Sequence, residues 1–477
     1  MKVLNCDVAV IGAGTAGLNA RREVERRGGR PIMIERGAFG TTCARVGCMP
    51  SKLLIAAAEA AHGFTHAPMF GVHPVQPPRI DGPAVMARVQ RERDRFVRFG
   101  VEDVEALPPG QVLRGHAKFV GPTRLVVDGE VQVDARAVVV ATGSHPFVPP
   151  PFDAIRDRVL TSDEVFELPD VPKSLAVIGT GIIALELGQA MARLGARVAF
   201  FNPFDELGPF TDPEVQRVAH AVMGADLTLN IGIEMQAPVV DADGIRLRWT
   251  SRDGAAHEEH FARVLVAAGR KPNVADLGLE ATGLELDRGR PRIDFGTTGA
   301  GDVPIFFAGD VDGYLPLLHE AADEGRIAGA NAMTWPHVER HERRTALAVA
   351  FTDPQMAMVG VRYADLPKGG HAVGSVSYEN QGRARVMGVN RGIVRLYAET
   401  SGCRLIGAEM FGPAMEHMAH LLAWAVQDGM TVKRALTMPF YHPVLEEGIR
   451  TGLRDLAKHL HEMGSCRPED AAESAGA

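Results

Sequence analysis

The sequence predicts an α/β protein in which two units of strand, glycine-rich turn, helix and strand precede a separate α+β domain. The first unit covers residues 3–36 and the second covers residues 174–202. Each starts with an apolar run that ends in glycines and passes into a segment of helical polarity, which is a βαβ pattern. From about residue 346, short strand-like runs alternate with a helical pattern from Glu416 to Val426, which is typical of an α+β domain.

The length and composition agree with a protein of several globular domains. The chain has 477 residues, which at about 150 residues each suggests roughly three domains. With 46% hydrophobic and 23% charged residues, the composition is that of a globular chain with an ample core. The net charge of −8 argues against electrostatic capture of nucleic acid or of an anionic membrane.

Neither a membrane span nor a secretory leader is expected from the apolar runs. The most apolar region, residues 175–201, contains Glu186, Gln189 and Arg193, and so falls short of the 18 or so apolar residues of a span. The N-terminal run contains Asp7 and leads directly into the first glycine-rich turn, which argues against a secretory leader. The sequence therefore favours a cytoplasmic protein.

Two junctions divide the chain into predicted domains. Three prolines at 149–151 follow the strand-like run ARAVVVATG, and GRKPN at 269–273 closes the second unit. The tail is small, acidic and proline-containing, and we expect it to be mobile. The predicted domains are residues 1–149 completed by 274–345, residues 150–273 and residues 346–463, followed by a tail over 464–477.

The first glycine-rich turn has the pattern of a dinucleotide-binding site. Gly12, Gly14 and Gly17 follow a strand and open a helix, where glycines allow a tight turn and close approach of a pyrophosphate to the helix N-terminus. The next strand ends in Glu35, whose carboxylate can accept hydrogen bonds from a ribose hydroxyl. An ordinary tight turn is the alternative, but it leaves the placement of Glu35 unexplained.

The second turn repeats this pattern with two changes. It contains Gly179 and Gly181, with alanine at the third glycine position, and Asn202 stands where the first unit has its acid. A 2′-phosphate would require Arg or Lys here, whereas the next charged residues are Asp205 and Glu206. The repeat predicts two Rossmann-like dinucleotide-binding domains, and the local charge favours NAD over NADP at the second.

The most specific segment of the chain carries a cysteine pair. The sequence has five cysteines, too few and too scattered for a disulfide framework: Cys6, Cys43, Cys48, Cys403 and Cys466. Residues five apart on an ideal helix point roughly 140° apart, so a bridge between Cys43 and Cys48 requires a distorted turn, which Gly47 allows. Pro50 suits a first helical turn and places Cys48 at a helix N-terminus, where the dipole favours a thiolate.

Two other interpretations of the cysteine pair are open from the residues alone. Cys43 and Cys48 could be buried, inert thiols, or half of a zinc site. No His or Cys cluster supplies further zinc ligands at a suitable spacing, so no metal site is predicted.

These segments, in this order, resemble the flavin-dependent pyridine nucleotide-disulfide oxidoreductases, and most closely the dihydrolipoyl dehydrogenases. The resemblance covers about residues 4–460. Beyond the turns and the cysteine segment, it rests on ATGSHP at 141–146, GRKPN at 269–273, FFAGDVDG at 306–313, FTDPQMAMVG at 351–360 and YHPVLEEG at 441–448. Arg45, Tyr441 and Asn202 depart from the usual dihydrolipoyl dehydrogenase pattern.

The resemblance implies that the first unit binds FAD and the second binds the nicotinamide cofactor. Asp310 would reach the ribitol of FAD, Cys48 would lie beside the flavin, and Cys43 would be the thiol that attacks the substrate. Lys52 would approach the flavin and pair with Glu186, for which a solvated surface salt bridge is the alternative. The residues assigned to cofactor binding are Gly12, Gly14, Gly17, Glu35, Lys52, Thr142, Gly143, Gly179, Gly181, Asn202, Gly269, Gly309 and Asp310.

A histidine near the C-terminus completes the predicted catalytic set. Glu447 follows His442 by five residues, and a carboxylate at this spacing can orient an imidazole and stabilise its charged form. A solvated surface histidine is the alternative for so short a motif. The resemblance implies that His442 enters the active site of the partner subunit, which predicts a homodimer with shared active sites.

The sequence therefore predicts an FAD enzyme that oxidises a dihydrolipoyl dithiol, on a lipoyl-bearing protein or a small molecule, through Cys43 and Cys48 to NAD. A glutathione-type or other low-molecular-weight disulfide reductase using NAD(P)H shares every motif and is the alternative. A flavoprotein scaffold without activity would leave Cys43, Cys48, Lys52 and His442 without purpose. A mercuric reductase would be expected to carry a C-terminal cysteine pair, where this sequence has only Cys466.

Overall fold

A computed structural model describes residues 1–76 and 78–465 and confirms the α/β class. The chain divides into two compact units. The first comprises residues 1–53, 87–147 and 269–343, and the second comprises residues 54–86, 148–268 and the described residues from 344 onward. The domain boundaries remain predictions. The predicted tail lies outside the described residues from position 466 onward.

Among the α-helices of the described residues, Thr15–Arg26, Ile182–Arg193 and Met415–Gln427 match the helical patterns of the two βαβ units and of the C-terminal part. In chain order, the α-helices are α1 (Thr15–Arg26), α2 (Thr42–Val46), α3 (Cys48–His66), α4 (Gly82–Glu105), α5 (Pro150–Asp153), α6 (Ile182–Arg193), α7 (Pro213–Asp226), α8 (Leu318–Thr334), α9 (Gly382–Met387), α10 (Met415–Gln427), α11 (Val432–Leu436) and α12 (Glu447–Glu462).

The strands of the described residues range from buried apolar runs such as SLAVI at 174–178 to polar, partly exposed ones such as AHEEHF at 256–261. They are β1 (Lys2–Ile11), β2 (Pro31–Glu35), β3 (Val112–Arg114), β4 (Ala117–Phe119), β5 (Arg124–Val127), β6 (Val131–Val140), β7 (Ser144–Pro146), β8 (Val159–Leu160), β9 (Ser174–Ile178), β10 (Arg197–Asn202), β11 (Thr228–Ile231), β12 (Glu234–Met235), β13 (Val239–Asp241), β14 (Gly244–Thr250), β15 (Ala256–Phe261), β16 (Arg263–Val266), β17 (Arg270–Pro272), β18 (Leu286–Asp287), β19 (Arg290–Pro291), β20 (Ile305–Phe307), β21 (Leu347–Ala350), β22 (Gln355–Gly360), β23 (His371–Ser377), β24 (Ile393–Glu399) and β25 (Leu405–Gly412).

The first unit is built on a sheet with the strand order β3-β2-β1-β6-β5-β4, to which β20 is added beside β6. The pairs of β1 with β2 and β6, of β2 with β3 and of β6 with β20 are parallel, whereas β4 and β5 form antiparallel pairs. In register, Ile11 lies beside Val140, which lies beside Phe307. The carboxyl ends of three strands therefore meet at one edge, where ligands bind in open α/β sheets.

Both faces of this sheet are buried, which explains why β1 is apolar from Val8 to Ile11. Val8 and Val10 pack with α1 on one face, and Ala9 and Ile11 pack against the β4–β5 hairpin on the other. On the first face, α1 and α8 approach closely. A Cβ added to Gly325 would collide with the main-chain carbonyl of Ala16, so the helix contact requires glycine there.

The second unit contains three sheets. A parallel sheet has the order β11-β10-β9-β16-β8 and carries α6 after β9. Strands β12 to β15 form an antiparallel sheet, and the C-terminal part has an antiparallel sheet of order β21-β22-β25-β24-β23. Met418 of α10 and Leu453 of α12 pack into the core of that last sheet with Leu396. This part is the predicted α+β segment.

Candidate active site

The first glycine-rich turn joins β1 to α1 and fits the phosphates of a dinucleotide. No side chain caps α1, and its first turn contains no acidic residue. A Cβ added to Gly14, which precedes the helix, would meet no atom within 4 Å, so the space over the helix N-terminus is open. Gly12 has a φ of 112°, and a Cβ on Gly17 would collide with the Gly12 carbonyl. The first N–H groups of α1 can therefore receive a phosphate.

Glu35 lies at the end of β2 beside this turn. Its Oε2 accepts a hydrogen bond from the main-chain N of Ala13 at 2.8 Å, and its Oε1 accepts one from the N of Gly37 at 2.6 Å. These bonds hold the carboxylate in place, and its remaining lone pairs can accept from a ribose hydroxyl. The structure thus brings Glu35 to the glycine turn, as its spacing from Gly12 predicts.

The second glycine-rich turn repeats the geometry of the first. Gly179 has a φ of 111°, and Gly181 precedes α6, which also has no side-chain cap and no acidic residue in its first turn. A Cβ added to Gly181 would meet no atom within 4 Å. The N-terminus of α6 is therefore as open to a phosphate as that of α1.

Asn202 ends β10 at the position that Glu35 occupies in the first unit, but its side chain is used differently. Its Nδ2 donates to Oγ1 of Thr180 at 2.5 Å, and its Oδ1 accepts from the main-chain N of Phe204 at 3.3 Å. Thr180 in turn donates to the main-chain oxygen of Glu206 at 2.6 Å. The Asn202 amide therefore fastens the turn to the loop that follows β10.

Asp205 in that loop has a positively charged partner. Arg252, in the connection between β14 and β15, forms an ion pair with it. The local sequence around Asn202 shows the charges of Asp205 and Glu206 but not this arginine, because 47 residues separate Arg252 from Asp205.

Cys43 and Cys48 lie together at the junction of α2 and α3, and both are thiols. Gly47, with φ −130° and ψ −116°, ends α2, and α3 begins at Cys48. A Cβ on Gly47 would lie 3.0 Å from the carbonyl oxygen of Thr42, so this break in the helix favours glycine. The structure therefore contains the distorted turn that the five-residue spacing requires.

The two thiols differ in their electrostatic surroundings. A hydrogen bond to Cys48 and, next, burial raise the pKa of Cys43 well above the ordinary thiol value, while the charge of Lys52 opposes this shift. Cys43 therefore holds its proton, and ionising both members of the pair would place two thiolates side by side. Cys48 is exposed and begins α3. A single negative charge on the reduced pair is thus better placed on Cys48.

Three of the distant motifs meet around Asp310. Oγ of Ser144 donates to Oδ2 of Asp310 at 2.7 Å. Arg270 donates through Nε to Ser144 Oγ at 2.8 Å and through Nη2 to the Ser144 carbonyl at 2.9 Å. The antiparallel pairing of β7 with β17 sets this register. Asp310 is therefore held by side chains from the ATGSHP and GRKPN segments.

Thr142 and Gly143 have different surroundings in the same corner. Thr142 and Asn273 form two hydrogen bonds with each other. Oγ1 of Thr142 donates to the main-chain oxygen of Asn273 at 2.7 Å, and Nδ2 of Asn273 donates to the main-chain oxygen of Thr142 at 2.8 Å. Gly143 has a φ of 67°, and a Cβ there would meet no atom within 4 Å. The main-chain oxygen of Gly269 accepts from the N of Phe147 at 2.9 Å. The space beside Gly143 is therefore open, whereas Thr142 links its own loop to that of Asn273 by hydrogen bonds.

A buried carboxylate supports the turn that precedes Asp310. Glu324 of α8 has no exposed surface, and its Oε2 accepts from the main-chain N of Gly309 at 2.7 Å. Nη2 of Arg343 donates to Oε1 of Glu324 at 2.8 Å. Burial and the charge of Asp312 raise the pKa of Glu324 to about 7, although Arg343 opposes the shift.

His442 and Glu447 form a close pair at the start of α12. The His442 Nδ1 lies 3.1 Å from each carboxylate oxygen of Glu447. The main-chain N of Val444 also donates to Glu447 Oε2, at 3.2 Å. The bond with His442 lowers the pKa of Glu447 below its ordinary value, so this carboxyl is ionised at neutral pH. Tyr441, which precedes the pair, is exposed.

Lys52 and Glu186, the two remaining predicted site residues, each have a hydrogen-bonding neighbour. Lys52 Nζ lies 3.4 Å from Oγ of Ser51 in the first turns of α3. Glu186 of α6 is buried, and its Oε1 accepts from the main-chain N of Phe351 at 2.8 Å. The pairing of Lys52 with Glu186 remains a prediction.

Four residues were not predicted from the sequence, namely Ser144, Arg270 and Glu324 in the first unit and Arg252 in the second. Ser144 and Arg270 lie inside the ATGSHP and GRKPN segments, so their polarity was an available signal. Glu324 offered a weaker signal, a charged residue within an alanine-rich and glycine-rich helix. Arg252 offered none, since nothing in its neighbourhood marks it as a partner of Asp205.

Comparison with known proteins identifies both parts of the chain. A family model described as pyridine nucleotide-disulphide oxidoreductase matches residues 6–325, and the dimerisation domain of the same family matches residues 346–452. In the described residues, no helix is both long and apolar enough to cross a membrane.

Individual relatives fall into more than one activity. A mercuric reductase from Shigella flexneri is 33% identical over 480 residues, which cover 96% of this chain and 82% of the relative. A dihydrolipoyl dehydrogenase from Halobacterium salinarum is 30% identical over 452 residues, with 92% and 94% covered. Among solved structures, LpdA from Mycobacterium tuberculosis superposes with a TM-score of 0.79 at 25% identity, covering 94% of this chain and 99% of LpdA.

Proposed function

The chain belongs to the pyridine nucleotide-disulphide oxidoreductase family, and on that premise we propose that it oxidises a dihydrolipoyl dithiol and passes the electrons to NAD. The observation that carries the proposal is the Cys43–Cys48 dithiol at the start of α3. Inert structural thiols would not require the glycine-dependent break at Gly47. The choice of dithiol is supported by dihydrolipoyl dehydrogenases among the relatives.

The cysteines perform the dithiol chemistry by exchange. In the oxidised enzyme, a substrate thiolate attacks Sγ of Cys43 and releases Cys48 as a thiolate. The second substrate thiolate then attacks the substrate sulfur of this mixed disulfide. The substrate leaves as a disulfide and Cys43 is released, so that two electrons have moved to the cysteine pair. The raised pKa of Cys43 favours its protonation at this point, with the charge left on Cys48.

His442 is proposed as the base for the incoming dithiol. An ionised Glu447 only accepts hydrogen bonds, so Nδ1 of His442 carries a proton and Nε2 is the nitrogen that can accept one. The ring is 80% exposed and is therefore accessible to a substrate. Glu447 holds its orientation and stabilises the imidazolium that forms.

The cofactors are assigned to the two glycine-rich turns. Members of this family bind FAD and a pyridine nucleotide, and both turns have the open helix N-terminus and the glycines that a pyrophosphate needs. We assign FAD to the turn with Glu35 and Asp310, and NAD to the turn with Asn202. When bound, the flavin relays two electrons from the cysteine pair to the nicotinamide. Lys52 is assigned to the flavin edge.

A homodimer with shared active sites is part of the proposal. The match to the dimerisation domain covers residues 346–452. Within it, Trp424 and Leu421 of α10 have 71% and 47% of their surface exposed, and large apolar side chains at this exposure favour a protein contact. His442 would then serve the active site of the partner.

The cytoplasmic location also remains a prediction.

Reduction of Hg²⁺ is a second candidate, because the mercuric reductase from Shigella flexneri is 33% identical over nearly the whole chain. Mercuric ion is a soft cation that favours thiolate ligands, which Cys43 and Cys48 could supply. A glutathione-type disulfide reductase is the other alternative. It would use the same residues to pass electrons from NAD(P)H to a disulfide substrate.

One substrate panel distinguishes these activities. Purified holoenzyme is assayed with dihydrolipoamide and NAD⁺ or NADP⁺, with glutathione disulfide and NADH or NADPH, and with Hg²⁺ and either reduced nucleotide in excess thiol. We expect kcat/KM for dihydrolipoamide with NAD⁺ to exceed the others at least ~10-fold, a difference of about 1.4 kcal/mol. A higher value for Hg²⁺ or glutathione disulfide would overturn the proposed substrate. Cys43→Ser, which should be inactive in every arm, controls for background reduction by free thiol.

A further inference from the structure

Arg252 of the β14–β15 connection pairs with Asp205 in the loop that follows β10. Gly232 follows β11, and its main-chain N donates to the carbonyl of Phe204 at 3.1 Å. A Cβ added to Gly232 would collide with Nε of Arg252 and lie 2.7 Å from Oδ1 of Asp205. Both side chains of the Asp205–Arg252 pair therefore lie over Gly232. Asp205 follows Asn202 by three residues.

Asn202 itself provides no charge at this edge of the site. Its amide is bonded to Thr180 and to the main chain of Phe204, whereas Glu35 presents an ionisable carboxylate in the first unit. Discrimination at the ribose end of the second nucleotide therefore depends on the residues that follow Asn202. Among these, Asp205 and Glu206 bear negative charge and Arg252 is the cation that pairs with Asp205.

We propose that Asp205 sets the nucleotide preference by occupying the Arg252 guanidinium, which would otherwise bind the 2′-phosphate of NADP(H). The inference deepens the proposed function, since it rests on the assignment of a nicotinamide nucleotide to this turn. A guanidinium is suited to bidentate binding of phosphate. With Asp205 in place, a 2′-phosphate must displace a carboxylate from Arg252 and also meets the charge of that carboxylate and of Glu206.

The pair is a suitable target for substitution because it is exposed. The side chains of Arg252 and Asp205 retain 67% and 52% of their surface, so the ion pair contributes little to folding stability. Asp205→Asn removes the competing charge with little change in shape. Glu258→Gln is a matched control, because Glu258 pairs with Arg248 on the two strands that flank Arg252 and its side chain is 42% exposed.

The test measures binding of two nucleotide fragments, 2′,5′-ADP and 5′-ADP, to FAD-loaded holoenzyme by titration calorimetry. We expect Asp205→Asn to tighten binding of 2′,5′-ADP about 10-fold or more, while binding of 5′-ADP changes less than about 2-fold. Adding Arg252→Ala should abolish the gain, and Glu258→Gln should bind both fragments like the unmodified enzyme. The ratio of flavin reduction rates with NADPH and NADH should shift in the same direction as the affinities.

Two results would overturn the inference. One is an unchanged affinity for 2′,5′-ADP in Asp205→Asn, which would mean that Arg252 does not face the 2′ position. The other is a loss of 2′,5′-ADP binding on Arg252→Ala in the otherwise unmodified enzyme, which would mean that Asp205 does not occupy the arginine. No dithiol enters this experiment, so failure of the proposed substrate leaves its result unaffected. If neither fragment binds to the enzyme, the assignment of a nicotinamide nucleotide to this turn is wrong.

Discussion

Nδ1 of His442 lies 3.1 Å from both carboxylate oxygens of Glu447. This arrangement fixes which nitrogen of the ring carries a proton, because an ionised carboxylate can only accept a hydrogen bond. The neutral ring then presents Nε2 as its basic nitrogen. A base positioned in this way is required for the oxidation of a dithiol, but not for the exchange of hydride between a flavin and a nicotinamide.

Replacing His442 should therefore slow one half-reaction selectively. We expect His442→Ala to slow reduction of the enzyme by dihydrolipoamide by the ~10²–10⁴ of a positioned acid–base group. NADH-driven reduction of ferricyanide should largely persist. Stopped-flow measurement of each half-reaction checks this, and an equal fall in both would refute the role given to the histidine.

Subunit mixing tests where His442 acts. If each site uses the histidine of the partner subunit, heterodimers of Cys43→Ser and His442→Ala protomers contain one intact site. Mixtures should then regain activity in proportion to the heterodimer fraction. Inactive mixtures with proven subunit exchange would contradict the shared site.

The two cysteines should be spectroscopically distinguishable. Cys43 holds its proton because it is hydrogen-bonded to Cys48 and partly buried, whereas Cys48 begins α3. We expect two-electron reduction of the unmodified enzyme to give a long-wavelength charge-transfer band. Cys43→Ser, which has no disulfide to reduce, should show this band before any reductant is added, and Cys48→Ser should lack it at every stage. Anaerobic titration with absorbance detection measures this. The opposite pattern would show that the two roles are exchanged.

NAD(H) should be the better nucleotide in the unmodified enzyme. The guanidinium of Arg252 is engaged by Asp205, so a 2′-phosphate gains no charge-assisted bond without displacing that carboxylate. We expect a higher kcat/KM with NAD(H) than with NADP(H), and Asn202→Glu should increase the ratio by supplying a ribose acceptor. Equal or better turnover with NADP(H) would contradict this prediction.

The raised pKa of Glu324 should appear in the pH dependence of stability. Its folded value of about 7 exceeds the ordinary 4.5, so folding favours the protonated form. The stability of the unmodified enzyme relative to Glu324→Gln should fall as pH rises from about 4.5 to about 7, by at most about 3 kcal/mol. Denaturant titrations of both proteins across this range measure the difference. Glu320→Gln removes the other carboxylate bonded to Arg343. If the stability of the unmodified enzyme relative to Glu320→Gln fell over the same pH range, the effect would belong to Arg343 instead of Glu324.

The contact between α1 and α8 should not tolerate a methyl group at Gly325. An added Cβ would collide with the main-chain carbonyl of Ala16, which has no rotamer by which to move aside. We expect Gly325→Ala to lower the free energy of unfolding by about 1–3 kcal/mol. Gly63→Ala is the control, because Gly63 is also helical and a Cβ there would meet no atom within 4 Å. Equal unfolding midpoints for the two variants would contradict the close helix contact.

Features that depend on local spacing were predictable from the sequence. Both glycine turns open a helix at Gly14 and Gly181, where the pattern places them. The break at Gly47 follows from the need to bring together residues five apart. The pairing of His442 with Glu447 also needs only the short segment that leads into α12. In each case, the backbone conformation of a few neighbouring residues suffices to position the groups.

The remaining contacts could be decided only by the tertiary structure. Ser144 and Arg270 are 126 residues apart and meet because β7 pairs with β17 in one register. Arg252 reaches Asp205 through the fold of the second unit, and it changes the local charge that the sequence alone indicated. Strand register and helix packing bring such distant residues together, and neither is encoded in the spacing of a motif, because a shift of one residue along a strand would reverse the face on which each side chain lies.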